Sequence, residues 1–590
     1  MAAVGDPVVA EVVVEAAHSN YQESLMHRVL CVPIAVVLLT SCQSTQSQAP
    51  GSVPNVWVSE PAITAADLRQ RLYLIADDSM MGRETGSLGA FKASAYVASE
   101  FRRLGLEPAG DSGTYFQRVP FWDVKVDSTS RLVAFGGPLQ LRTDFLPVSY
   151  AVPPRELDKT PVVYAGSVGD SATLLAPAPG DVAGKFVVLD VPQGFDRRAL
   201  GGYVGRYRDA LTVGVIALDQ LGSEQIAQIV EGRPVSDTSR NPRAIALVWL
   251  TRRAGTAVLG KEPSAITPGT TTGTTVSGRY DFTRTPVAYP ARNVVGILRG
   301  SDSTLRGEYV SLTAHHDHVG FDHHPVDHDS LRAFNRVVRP MGADSPNREP
   351  TDAEWGRIHT ILDSLRAIRP PRLDSIRNGA DDDGSGTVAI LEIAEAFARA
   401  EGPGRPRRSI LFVSHTGEEA GLLGSRWYSD HATVPVDSIV GEIDEDMIGR
   451  GTASDFPRGG TGAGSPTYLE VIGAKRISRE FGEMLEAANA KQPVPFVFDY
   501  TYDAPGHPLQ YYCRADHYSY ARYGIPSVAF SRGEHLDYHQ VTDEAQYISY
   551  QDLARVTQMV HDGALAVANA PERPKRDVPK PTDPNAPCRQ

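Results

Sequence analysis

Five short stretches of this chain gather side chains that bind metal ions, and each stands at a turn or directly after an apolar run. The first, Ala314 to Gly320, contains His315, His316, Asp317 and His318; the second, Asn378 to Gly386, contains Asp381, Asp382 and Asp383. The third, Thr416 to Ser425, carries Glu418 and Glu419; the fourth, Asp444 to Gly449, carries Asp446; the fifth, Asp537 to Asp543, centres on His539. Carboxylate oxygens and imidazole nitrogens suit zinc and leave room for cobalt or manganese. Singly, each stretch has an ordinary reading: an acidic triplet ahead of a helix complements the helix dipole, and a Glu-Glu pair in a turn is solvated. Five in chain order, placed alike relative to the strands of one region, read together as a metal site.

The elements that must position them follow from periodicity. Apolar runs at Tyr309 to Thr313, Ile410 to Val413, Ile439 to Ile443 and Ile525 to Phe530 read as strands, and Thr387 to Ala400 repeats its apolar residues at helical spacing. This alternation predicts an α/β fold, a mixed central sheet flanked by helices. Sites in such sheets lie beyond the carboxyl ends of the strands, where these ligands fall. Residues 63–147 read as a helical N-terminal part of the same domain, and 148–280 as an inserted β-rich module of short β-branched runs with Gly and Pro turns. Thr267 to Gly278 reads as its exit linker. Residues 321–377 interrupt the main domain, 281–570, as an insertion of unknown fold, whose His323, His324 and His328 are assigned no ligand role. The tail, 571–590, rich in Pro and Lys, is expected to be disordered.

From Asn293 to about Ile548 the chain resembles the di-zinc aminopeptidases, family 28 of the metallopeptidases, which also includes relatives of glutamate carboxypeptidase, the transferrin receptor and glutaminyl cyclase. The resemblance implies two zinc ions per chain. His315 and Asp446 would hold one, Glu419 and His539 the other, and Asp382 would bridge them. Glu418 would be the general base, Asp317 the carboxylate that orients His315, and Tyr512 a hydrogen-bond donor to the tetrahedral oxyanion. Where the family commonly has Ser before Asp-His, this chain has Ala515, and Tyr512 and His517 read equally well as core residues. The insert resembles a protease-associated domain, most clearly over Gly180 to Leu189. A peptide-cleaving aminopeptidase is the expected activity; carboxypeptidase action, glutaminyl cyclisation and a non-catalytic receptor role on the same fold are the alternatives.

The net charge of −13 leaves no basic footprint for nucleic acid. Met26-His27-Arg28, an apolar run to Leu39 and Leu39-Thr40-Ser41-Cys42 read as an export signal ending in a lipoprotein cleavage site, with Cys42 lipidated and 42–62 a flexible tether. The acidic residues before Met26 suit no such signal, so translation is expected to start at Met26. Location would then be a membrane surface facing the periplasm or exterior, the outer membrane favoured by Gln43. Of four cysteines, Cys513 and Cys588 stay as thiols whose pairing spacing does not decide. Oligomeric state is left open.

Overall fold

The computed structural model describes residues 59–148, 155–169, 174, 181–195, 200–236, 246–346, 348–452, 455–456, 464–586 and 588–590. The export signal, the alternative start and Cys42 lie outside them. Among the described residues no helix is long and apolar enough to cross a membrane.

The main domain is built on a nine-stranded mixed sheet. In chain order its strands are β1 (Glu107–Pro108), β2 (Phe116–Arg118), β3 (Arg292–Leu298), β4 (Tyr309–His315), β5 (Ser409–His415), β6 (Ile439–Glu445), β7 (Tyr468–Ile472), β8 (Val497–Asp499) and β9 (Ser527–Ser531). Spatially they run β1-β3-β5-β4-β6-β9-β7-β8, with β2 also paired to β3. The centre, β5-β4-β6-β9, is parallel, whereas β3 and β7 join it antiparallel. β4, β5 and β6 are buried along their whole lengths, as parallel strands covered on both faces must be.

Helices named below are α1 (Ala65–Ile75), α2 (Leu88–Arg103), α3 (His328–Val337), α4 (Asp352–Arg366), α5 (Gly386–Arg399) and α6 (Tyr550–Asn569). Every residue of α5 from Gly386 to Glu395 is buried: it packs between the sheet and the layer formed by α1 and α6, so its apolar residues encircle it instead of forming one stripe. Where α1, α2 and α5 meet, the fully buried Arg71 pairs with Glu100, with Glu392 at 3.0 Å and with Glu395 at 2.6 Å. Three carboxylates on two helices thus share one guanidinium from a third.

The β-rich insert holds an eight-stranded sheet of its own, with separate apolar clusters around Phe186 and Val248 and around Val187 and Val213. Its boundaries differ from the sequence reading. Arg131–Ala134, Gly137–Leu139 and Phe145–Pro147 already belong to this sheet, and Thr271–Tyr280, expected to be a linker, pairs with both Arg155–Ser167 and Arg131–Ala134. A Thr- and Gly-rich stretch looks like a tether by composition, yet β-branched threonine suits a half-buried strand.

The 321–377 insertion is a hairpin, Phe321–Asp327 with Leu373–Ile376, carrying α3 and α4. Ala333, Phe334, Val337, Val338 and Ile358 form its core, with Trp355 against them. A reciprocal Thr351–Glu354 cap starts α4. The tail also departs from expectation: Cys588 is disulfide-bonded to Cys513, and the Asp577 amide donates to the Ile477 carbonyl at 2.8 Å. Pro-rich composition signalled disorder, but a covalent bond anchors the segment.

Replacing Arg71 by Met should cost about 3–5 kcal/mol, because it leaves the buried Glu392 without a cation and Glu100 and Glu395 with Arg103 alone. Urea unfolding measures this, and adding Glu392→Gln to Arg71→Met should recover part of the loss.

Candidate functional site

The five ligand-bearing stretches converge beyond the carboxyl ends of β4, β5, β6 and β9. His315 is the last residue of β4, Glu418 and Glu419 follow β5, Asp446 follows β6, and His539 lies in the turns after β9. Asp382 sits in the turn that leads into α5. Two backbones bend through the left-handed region at non-glycine residues, Met447 at φ 58° and His539 at φ 57°, a conformation that concentrates at functional sites.

The ligand turns are held by buried polar groups. Arg83 donates from Nε to the His316 carbonyl at 2.9 Å and from Nη1 and Nη2 to the Asn378 and Gly379 carbonyls at 2.5 and 2.8 Å. One guanidinium therefore ties the turn after His315 to the turn before Asp382. The Asp543 carboxylate accepts from the amides of Asp381 and Asp382 at 3.0 and 3.2 Å, fixing the same turn from the His539 side. His315 is set by its amide on Asp383 at 3.1 Å and by the Thr387 hydroxyl on its carbonyl at 2.7 Å.

Asp382 turns a different oxygen to each side of the site. Its Oδ1 lies 3.3 Å from His315 Nε2, which in turn is 3.7 Å from Asp446 Oδ1. Its Oδ2 lies 2.9 Å from His539 Nε2, which is 3.0 Å from Glu419 Oε2. Two groups able to hold a divalent ion result, one of His315, Asp382 and Asp446 and one of His318, Asp382, Glu419 and His539. The donor sets fit such ions. His315 Nε2, Asp382 Oδ2, Glu419 Oε1, Asp446 Oδ1 and both ring nitrogens of His318 are buried without a hydrogen-bond partner, a situation native proteins avoid.

His318 is the member of these two groups that the sequence reading left out. It is completely buried, its Nδ1 lies 2.8 Å from Glu419 Oε1 and 3.8 Å from Asp382 Oδ2, and its ring meets that of His539 edge-on. The available signal was its place in the same His-His-Asp-His run, one turn of chain beyond His315.

Burial alone would push the charged forms of these groups away. For His315 the loss is outweighed by the nearby carboxylates of Asp382 and Asp446, so its pKa is raised well above the usual value. Burial likewise opposes the charged His539, but Glu419 and Asp382 lift it to about 10. Carboxylates that draw protons onto both imidazoles would equally draw metal cations.

Glu418 belongs to neither group. Its Oε2 is 3.9 Å from His315 Nε2, and it lines the same pocket as Asp382 and Asp446. Burial, with Glu419, Asp516 and Asp446 nearby, holds its carboxyl well above the ordinary range despite His315. Asp317 lies beneath both. Its Oδ1 accepts from the Glu418 amide at 3.3 Å and its Oδ2 from the Thr85 hydroxyl at 2.7 Å. It orients His315 differently from expectation: His315 Nδ1 is 3.1 Å from the Asp317 backbone carbonyl and 3.7 Å from its carboxylate.

Tyr512 is not brought to the pocket. It packs with Ile472, Ile477 and Ala529, edge-on to His517 and under the Arg476 guanidinium; the tyrosines that line the pocket are Tyr511 and Tyr538. A one-residue difference within a Tyr-Tyr pair cannot be read from spacing. His517 is buried beside Tyr512, and Ala515 reaches the pocket wall. His328 joins Asp374 and Glu544 in a third acidic group, but Arg372 already pairs with both carboxylates there.

Residues 293–564 match peptidase family M28. The chain is 31% identical over 215 residues to leucine aminopeptidase 1 of Penicillium rubens, covering 35% of this chain and 51% of that protein. It is 27% identical over 219 residues to a probable zinc metalloprotease of Pyricularia oryzae, covering 33% and 43%. The chain thus spans about half the length of these curated relatives. Among solved structures, an aminopeptidase from Aneurinibacillus sp. strain AM-1 superposes with a TM-score of 0.47 at 16% identity, covering 88% of this chain and 97% of that one. A zinc aminopeptidase from Bacillus subtilis gives 0.44 at 17%, covering 86% and 95%.

If His318 is a metal ligand, His318→Ala should weaken binding of one metal ion at least about tenfold while leaving the other, since even partners one shell out change affinity by that much. Competition with a chromophoric chelator reads the two affinities separately. Equal, unshifted affinities would return His318 to a structural role.

Proposed function

We propose that this chain, of which residues 293–564 match peptidase family M28, is a zinc-dependent exopeptidase that removes the N-terminal residue of peptides, and that Asp382 would help to hold each of two zinc ions. The observation that carries the proposal is the placement of Glu418: a part-buried carboxylate outside both ligand groups, lining the pocket with Asp382 and Asp446. Bound divalent ions at such a pair supply Lewis-acid polarisation of a carbonyl and acidify water.

The protein's own residues divide the remaining work. His315 and Asp446 would hold one ion and Glu419, His539 and His318 the other, with Asp382 within reach of both. Glu418 takes a proton from the attacking water and returns it to the departing amine, a role that needs a carboxyl pKa above the ordinary range. Asp317 keeps Glu418 in place through the Glu418 amide and fixes the tautomer of His315 through its backbone carbonyl. Tyr511, at the pocket wall, replaces Tyr512 as the candidate donor to the developing oxyanion.

Location and regulation belong to the same proposal. Lipidation at Cys42 would tether the enzyme to a membrane facing the periplasm or exterior, where trimming of peptides is its use. The eight-stranded module, in the manner of a protease-associated domain, would cap the approach to the site.

Glu418→Gln should lower turnover roughly a hundred- to ten-thousandfold, the usual contribution of a general base, with metal content unchanged by atomic absorption. Aminoacyl amides should be cleaved and their N-acylated counterparts not. Cleavage from the carboxyl terminus, cyclisation of N-terminal glutamine, or metal binding without any turnover would each identify one of the alternatives instead.

A further inference from the structure

Beside the metal-binding groups, the pocket continues over the edge of the sheet, and its lining there is not uniformly apolar. Met447, Ile472, Ala529 and Phe530 supply aliphatic and aromatic walls, while Glu470, Ser531 and Glu534 bring polar groups. The floor is a grid of two antiparallel strands. Glu470 pairs with Ser531 and Ile472 with Ala529 in the β7–β9 ladder, and residues two apart on a strand share a face.

Glu470 is 5% exposed. Its Oε1 is 2.9 Å from the Tyr468 hydroxyl, which is also 2.9 Å from Asp499 Oδ2. A phenol has one proton, so it can serve only one of these carboxylates at a time. Among the described residues, none donates a hydrogen bond to the second oxygen of Glu470. Burial pushes this carboxyl up to about 7, Tyr468 pulling it down and Asp499 adding to the rise. Among the described residues that line the pocket the one cation is Arg514, and it is committed elsewhere: it pairs with Asp344 at 2.8 Å and with Glu534 at 3.5 Å. Glu534 is held well above the usual range by burial and by Asp344, so the Arg514 charge is answered by Asp344 and leaves Glu470 uncompensated.

We infer that this part of the pocket receives the side chain of the substrate's N-terminal residue and that Glu470 selects a cationic one, lysine or arginine. The inference rests on the aminopeptidase reading. β7 lies two strands from β6, whose end carries Asp446, which at the ordinary strand spacing is roughly 10 Å. That separation suits a lysine or arginine side chain and exceeds the reach of leucine. The walls would cover the methylene stem while its charged head meets the carboxylate, as long basic side chains do elsewhere. Tyr511 and Tyr538, also in the lining, add aromatic surface that favours a cation.

The test uses the full zinc-loaded protein with lysyl, arginyl, leucyl, methionyl and glutamyl p-nitroanilides, before and after Glu470→Gln. Native enzyme should show kcat/KM for the lysyl and arginyl substrates roughly tenfold or more above the leucyl one, with the glutamyl one lowest, a difference in keeping with a polar group left unpaired by the wrong substrate. Glu470→Gln should reduce the lysyl-to-leucyl ratio by a similar factor. A native preference for leucine or methionine overturns the inference. So does a uniform loss across all substrates, which would place Glu470 on the α-ammonium group. If no free-amine substrate is cleaved although metal is bound, the aminopeptidase reading fails on its own. The subsite is then judged by calorimetric binding of free L-lysine against free L-leucine: roughly tenfold tighter lysine sustains it, and equal affinity sinks it. Should Glu470→Gln not fold, the native panel and the same titration decide the question.

Discussion

Negative charge buried at one edge of the sheet is the constraint on which this structure turns. Asp317, Asp382, Asp383, Asp444, Glu445, Asp516, Asp537 and Asp543 are all at most 3% exposed, within a few turns of chain of the metal-binding groups. Ionised carboxylates in such surroundings carry a large desolvation cost unless paired, hydrogen-bonded or protonated. The protein uses all three remedies. Arg450 pairs with Asp455 and Asp537, Asp543 accepts two amides, and Glu442 and Asp444 bracket the Thr313 hydroxyl at 2.7 and 2.9 Å, burial holding both well above the ordinary carboxylate range. Among the described residues, the innermost ring of Asp382, Glu419 and Asp446 has only histidines as cationic partners within 4 Å, with the Arg83 guanidinium acting on Asp382 from farther away. These three are therefore the carboxylates of the cluster best placed to meet cations.

That pattern explains why the site was legible in sequence and where the reading failed. Ligands at strand ends are dictated by local chain direction, so His315, Asp446, Glu419 and His539 could be placed from strand periodicity and the family resemblance together. His318 could not, because a residue three positions beyond a ligand points into the site or away from it according to the turn, and that turn is fixed by Arg83 from a segment more than two hundred residues earlier. Tyr511 and Tyr512 fail for a similar reason: they share a single helical turn, and which one faces the pocket depends on the packing of Tyr512 against Ile472 and Arg476.

At the level of fold, the parallel centre was readable because its strands are buried on both faces and spell continuous apolar runs. The insert's edges were not. Arg131–Ala134 alternates exposed and buried residues and Gly137–Leu139 is only three residues long, too little signal to assign to one sheet or another. The tail was misread because composition reports the chain's own preference, whereas a disulfide and the Gln590 side chain, which accepts from the Tyr512 amide at 2.9 Å, impose order from outside.

The two segments that seemed least connected with chemistry brace opposite sides of the pocket. From the 321–377 insertion, Asn335 donates to the Leu536 carbonyl at 2.9 Å, the Ala343 amide to the Tyr538 carbonyl at 3.0 Å, and Arg332 to Asp537 at 3.1 Å, so the turn carrying His539 rests on α3 and the residues after it. The tail, through Cys588 and Gln590, holds the short helix of Tyr511 to Cys513, next to Arg514. Asp344 of the insertion then reaches Arg514, closing a chain of contacts from the His539 turn to the far wall. The candidate metal-binding groups therefore sit on strand ends of the sheet, while the far wall of the pocket is braced by segments attached around it.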